Sequence, residues 1–110
     1  MQVMKEAVLD IDPRHLDIVL DILHRCVPRY EVRAFGSRAT GRARPYSDLD
    51  LVIMTEEPLP FAVMGELRES FTESGLPWRV DIVDFATTNA AFRKFIERDS
   101  VVIKASSLAG

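Results

Sequence analysis

The 110-residue sequence contains a single cysteine, Cys26. That excludes an internal disulfide and any zinc site built on several thiolates. Cys26 falls at helical spacing from Leu16, Val19 and Leu23, so it reads as a small buried hydrophobe rather than a reactive thiol. No apolar run approaches the roughly 18 residues that a membrane span needs. The opening Met1-Gln2-Val3-Met4-Lys5-Glu6 has no basic segment followed by an apolar one, so an export signal is not expected and the cytoplasm is the expected location. A strong charge of either sign is also missing. The formal net charge of −3 does not suggest an electrostatic nucleic-acid binder, and no direct nucleic-acid binding is expected.

What remains is an ordinary globular balance, with 47% apolar and 28% charged residues. The length suits one domain over 1–110, with a core over about 12–103, large enough to fold without staples. Repeats, low-complexity tracts and linkers are not evident. Asp12-Pro13 reads as an N-cap with proline at the first helical position. Behind it Leu16, Val19, Leu20, Leu23 and Cys26 form one apolar stripe, which Pro28 ends. Residues 30–35 read as a strand running into Gly36-Ser37. Residues 38–47, with three arginines and no large aliphatic residue, read as a loop or a short helix plus a loop. Residues 48–54 form a second strand and 55–58 a turn.

From about Pro60 to Ser74, Phe61, Met64, Leu67 and Phe71 lie at helical spacing, closed by Gly75 and Pro77. Residues 78–85 read as a third strand. Thr88 is placed to cap a last helix with Phe92, Phe95 and Ile96 inward, and Val101-Val102-Ile103 as a short final strand. The order predicts a small α+β (α/β) domain with a mixed sheet flanked by helices.

Acidic residues inside apolar strands are the chemical signal. Asp48 and Asp50 are two apart, so in a strand both carboxylates leave one face. Two like charges side by side repel unless a cation lies between them. Oxygen-only ligands of this kind suit Mg²⁺, which completes its shell with water and phosphate oxygens. The third strand offers Asp81 or Asp84, and a third carboxylate from a neighbouring strand is what a two-metal transfer site requires. Periodicity cannot choose between them, because they face opposite sides of the strand. Solvated edge carboxylates are the plain alternative for Asp-x-Asp taken alone. An EF-hand is excluded, since an apolar strand fills its loop positions.

Gly36-Ser37, at a strand end before a short helical turn, can set backbone N–H groups and a hydroxyl against a phosphate. Gly36 and Gly41 fit the Gly-x-x-x-x-Gly of a P-loop, but Arg42-Ala43 replaces the Lys-Ser/Thr that would contact phosphate and metal, so a P-loop is not expected. Arg38, Arg42 and Arg44 suit triphosphate oxygens, or form a solvated basic loop. Tyr46 and Trp78 read as core or rim packing before base stacking, and His15 and His24 as surface histidines.

Gly36-Ser37-Arg38-Ala39-Thr40-Gly41 followed by Tyr46-Ser47-Asp48-Leu49-Asp50-Leu51, with Val80-Asp81-Ile82-Val83-Asp84 beyond, resembles the DNA polymerase β-like nucleotidyltransferase superfamily. More narrowly it resembles the minimal nucleotidyltransferase (MNT) proteins, many of which are antitoxins paired with HEPN-domain toxins. The resemblance covers roughly residues 12–103. It implies that Asp48, Asp50 and Asp81 serve two Mg²⁺ ions and the reaction, with Asp81 near the attacking hydroxyl. It also implies that Gly36, Ser37 and Arg38 hold the nucleotide. The implied activity is adenylyl transfer from ATP to a hydroxyl of a partner protein, a HEPN toxin, which is thereby silenced in a hetero-oligomer. The chain has no room for the extra helical structure with which larger relatives bind small acceptors. An antitoxin acting by binding alone, or a small-molecule nucleotidyltransferase, are the alternatives.

Overall fold

The computed structural model describes residues 9–107. The opening hexapeptide and the last three residues of the chain lie outside the described residues. Among the described residues, four helices and four strands run in the order α1 (Pro13–Cys26), β1 (Val32–Phe35), α2 (Ser37–Thr40), β2 (Leu49–Ile53), α3 (Phe61–Thr72), β3 (Val80–Asp84), α4 (Ala90–Asp99) and β4 (Val101–Lys104). A single 3-10 turn over Phe85–Thr87 joins β3 to α4.

The strands form one sheet in the order β3-β2-β1-β4. β1 pairs antiparallel with both β2 and β4, whereas β2 and β3 are parallel and joined through α3, as a parallel pair requires a crossover. The sheet is therefore mixed, as expected, and β3 lies at its edge.

Strand alternation builds two unequal cores. Val32, Ala34, Leu49, Leu51, Ile53 and Ile82 face one side and pack on Val19, Ile22 and Leu23 of α1 and Leu67 and Phe71 of α3. On the other side Phe35 meets Phe92 and Phe95 of α4 edge-on, at 5.4 and 6.1 Å between centroids. Val52 and Ile96 are fully buried there. Asp50 and Asp81 belong to this second face, at the end that α4 leaves open.

Local signals account for the helix ends. The Asp12 carboxylate accepts from the Arg14 amide at 2.8 Å and Pro13 occupies the first turn, so α1 begins where its cap predicts. Asn89, not Thr88, caps α4: its Oδ1 accepts from the Phe92 amide at 2.8 Å. The Thr88 hydroxyl is spent on the Phe85 carbonyl of the preceding turn. Phe61 also departs from the expected inward stripe. As the first residue of α3 it precedes the turn that reaches the sheet, and it is 96% exposed.

At the far edge, Lys104 is buried and its ammonium donates to the carbonyls of Pro28, Tyr30 and Ala105. Burial holds its pKa below the ordinary lysine value. Among the described residues, no helix is long and apolar enough to cross a membrane.

Candidate active site

The site begins where β1 ends. Gly36 adopts φ 80° and ψ −158°, a backbone region that essentially only glycine enters without strain. A side chain there would also strike the Asp50 carboxylate, whose Cγ would lie 3.3 Å from a Cβ. Glycine is thus required twice, by its torsion and by the approach of the Asp50 side chain. Ser37 opens α2 directly after this turn, at the strand end beside Asp50.

Arg38, for which a nucleotide contact is expected, makes its contacts here with the protein's own backbone. It is buried, and its guanidinium donates to the carbonyls of Ser47 and Asp10 at 2.9 Å and of Pro45 at 3.1 Å. The guanidinium carbon also lies 4.6 Å from the centroid of the Trp78 ring. Its planar fork is occupied in closing the 41–48 loop. The loop is tightened further by the Arg44 amide, which donates to the Ser47 hydroxyl at 2.8 Å. Arg38 therefore fixes the run into Asp48. Arg42 and Arg44 are exposed on the same loop.

Asp48 precedes β2 and Asp50 lies within it, opposite Phe35 on one side and Asp81 on the other. Burial raises the Asp50 pKa, and the charges of Asp81 and Asp48 raise it further. The three carboxylates thus share one electrostatic environment. Arg79, two residues before Asp81 and on its face, pairs with it at 3.2 Å at the surface. The hydrogen bond to Asp81, followed by the charges of Asp81 and Asp48, holds Arg79 above its ordinary pKa. That i, i+2 spacing was visible in the sequence, although Arg79 was not singled out there.

Asp84, the other sequence candidate, is buried on the opposite face. It accepts from the Thr55 hydroxyl and, at 2.7 Å, from the Leu59 amide, so its oxygens tie the β2–α3 connection to β3. Asp81 is the carboxylate on the side of Asp50.

The oxygen-only donor set fits Mg²⁺, which takes one or two carboxylates and leaves the remaining positions to water and phosphate. Among the described residues, no three acidic, imidazole or thiol side chains converge closely enough to cage a metal by themselves. The chemistry of the cluster is that of an open site, which a triphosphate would complete. A groove of about 1090 Å³ adjoins it, lined by Asp50, Asp81, Trp78, Arg79 and Phe92.

Tyr46 is 79% exposed and so is not a packing residue. Trp78 does pack at the rim, beneath Arg38 and edge-on to His15 at 5.8 Å, which leaves His15 half-buried while His24 is exposed. Cys26 is partly buried against the main core, close to the expected role.

The sequence profile of the family described as nucleotidyltransferase domain matches residues 14–107. A Haemophilus influenzae protein named probable protein adenylyltransferase MntA is 54% identical over 98 residues, covering 89% of this chain and 86% of that protein. Among solved structures, a toxin-antitoxin complex with AMP-PNP superposes with a TM-score of 0.68 at 19% identity, covering 84% of this chain and 74% of the matched chain. A complex of tri-AMPylated Shewanella oneidensis HEPN toxin with MNT antitoxin gives a TM-score of 0.62 at 18% identity, covering 84% and 71%. At those identities the superpositions establish a shared fold.

Proposed function

The chain belongs to the nucleotidyltransferase domain family, and from that premise we propose that it transfers an adenylyl group from ATP to a side-chain hydroxyl of a partner protein. By analogy with the relatives that share its fold, the partner is a HEPN-domain toxin, silenced by the modification within a toxin–antitoxin complex. The observation that carries the chemistry is the register of β2 and β3. It sets Asp50 beside Asp81, with Asp48 in electrostatic range, directly beyond the Gly36-Ser37 turn.

In the proposed reaction the acceptor oxygen attacks the α-phosphorus of ATP. The new P–O bond forms as the bond to the pyrophosphate bridging oxygen breaks, and pyrophosphate leaves. Asp48 and Asp50 would hold Mg²⁺, with Asp81 contributing to a second ion. When bound, the ions supply charge neutralisation of the triphosphate and a lowered pKa for the attacking hydroxyl. Asp81 accepts the hydroxyl proton and passes it to solvent, a general-base role for the carboxylate nearest the open edge. The Ser37 hydroxyl and the adjacent amides donate to triphosphate oxygens. Gly36 leaves room for that approach, and Arg38 holds the loop that aims Asp48.

The test is the intact mass of a purified HEPN-domain protein incubated with this chain, ATP and Mg²⁺. A gain of one or more AMP units supports the reading, and an unchanged mass rejects it. Neutralisation that survives Asp48→Ala with Asp50→Ala would assign the silencing to binding instead.

A further inference from the structure

A row of side chains crosses the sheet from Phe35 to Asp50 to Asp81 and stops there, because β3 is an edge strand. The hydrogen bond from the Leu49 amide to the Arg79 carbonyl sets the phase of the parallel ladder, so residues 79, 81 and 83 turn their backbone groups towards β2. Val80 and Ile82 turn theirs outward. Among the described residues β3 pairs with β2 alone, so the N–H and C=O groups of Val80 and Ile82 face away from the ladder.

Edge strands are commonly blunted by a lysine, a proline, a bulge, a covering segment or charged side chains, including inward-pointing ones. Val80–Asp84 has no lysine or proline and pairs with β2 without a bulge. Its two charges lie on the faces, with Asp84 turned inward and bonded to Thr55 and the Leu59 amide, so neither stands across the open backbone groups. Among the described residues, no segment pairs with this edge. The groove beside Asp50 and Asp81 runs along it from Trp78 and Arg79 to Val83. A second hollow of about 410 Å³ continues past Asp84 and Thr87 to the exposed ring of Phe61, and Arg68 of α3 lines both. One trough therefore follows the whole open edge, with the acidic site at one end and an apolar side chain at the other.

We propose that the acceptor segment of the partner protein binds this trough as an extended strand added to β3, with its hydroxyl residue opposite Asp81. Residues directly opposite in a sheet share a face, with Cβ atoms roughly 5 Å apart. The residue opposite Asp81 is therefore the next member of the row Phe35–Asp50–Asp81, and its hydroxyl emerges beside the carboxylate. A residue three positions along lies on the other face, about 10 Å away. There it meets the α3 side of the trough near Phe61, which calls for an apolar side chain. Backbone pairing supplies the affinity, and these two positions supply the choice of segment. The proposal rests on the protein-modifying activity argued above and specifies how its substrate is presented.

Amide hydrogen exchange with full-length HEPN-domain protein as the probe tests it, together with Val80→Pro and Val80→Ala. Val80 is the first residue of β3, where proline is tolerated, and Val80→Pro removes one outward N–H while Val80→Ala keeps it. Complex formation should slow exchange at Val80 and Ile82 by roughly tenfold or more. Val80→Pro should raise KM for the protein acceptor by about tenfold with ATP-analogue binding unchanged, whereas Val80→Ala stays near wild type. Transfer that proceeds with both amides unprotected, or equally in the two variants, overturns the proposal. So does protection that appears in the chain alone and grows with its concentration, since a second copy would then occupy the edge. Protection without any AMP gain would retain the edge and reject the activity. Should Val80→Pro fail to fold by circular dichroism, the exchange measurement on the wild-type complex decides.

Discussion

At Asp50, burial and the charges of Asp81 and Asp48 all act against ionisation. Its folded pKa lies above the unfolded value, so the folded state holds the proton more tightly. Ionised Asp50 therefore costs stability above the folded pKa, and that cost vanishes as pH falls below the unfolded value of about 4. Asp50→Asn should raise the melting temperature at neutral pH in Mg²⁺-free buffer, by a margin that shrinks as the pH is lowered. The same variant should transfer no AMP. A melting temperature that falls at neutral pH would contradict the charge-crowding account. Gly36→Ala should cost about 1–3 kcal/mol in urea unfolding, from the φ alone, and should also lower transfer by displacing Asp50. The Gly-Ser…Asp-x-Asp spacing made these positions legible in sequence. The structural contacts of Arg38 were not legible, because an arginine beside Gly-Ser suits phosphate as well as a loop. The carbonyls of Asp10, Pro45 and Ser47 that claim it come together only in three dimensions.

Each strand of the site brings its carboxylates to a particular face, and this separates two aspartates that sequence alone leaves equivalent. Asp81 lies opposite Asp50, while Asp84 lies opposite Ile53 on the buried side. Asp84→Ala would strand the Leu59 amide and the Thr55 hydroxyl inside the protein, at a cost of about 2–3 kcal/mol. Transfer by the folded fraction should stay near wild type. Asp81→Asn should do the reverse, lowering kcat by about 10²–10⁴-fold with stability little changed. Denaturant titration beside steady-state kinetics on both variants separates the two roles. The strands, α1 and α3 were visible as periodicity. The cap at Asn89 and the exposure of Phe61 were not, because both depend on where a helix first meets the sheet.

Across the whole molecule, strand order decides what the chemistry can reach. Nothing in the local pattern of residues 80–84 says that β3 forms the edge of the sheet. That follows from β1 taking the centre between β2 and β4. With α1 and α3 on one face and α4 on part of the other, the carboxylate cluster sits at an open corner, in reach of a large acceptor. Among the described residues no three acidic, imidazole or thiol side chains converge to hold a metal, so under the proposed function the triphosphate must complete the site, and nucleotide and Mg²⁺ should bind interdependently. Calorimetric titration with an ATP analogue should show affinity falling sharply when Mg²⁺ is chelated.

In the proposed reaction Asp48, Asp50 and Asp81 act together to move AMP onto a protein. Its most direct measurement is the intact mass of a HEPN-domain protein after incubation with ATP, Mg²⁺ and either the wild-type chain or Asp81→Asn. Addition of AMP by the wild type, with little or none by Asp81→Asn at equal binding of the partner, is the predicted result. An unmodified partner with the wild type, or equal modification with both, would contradict it.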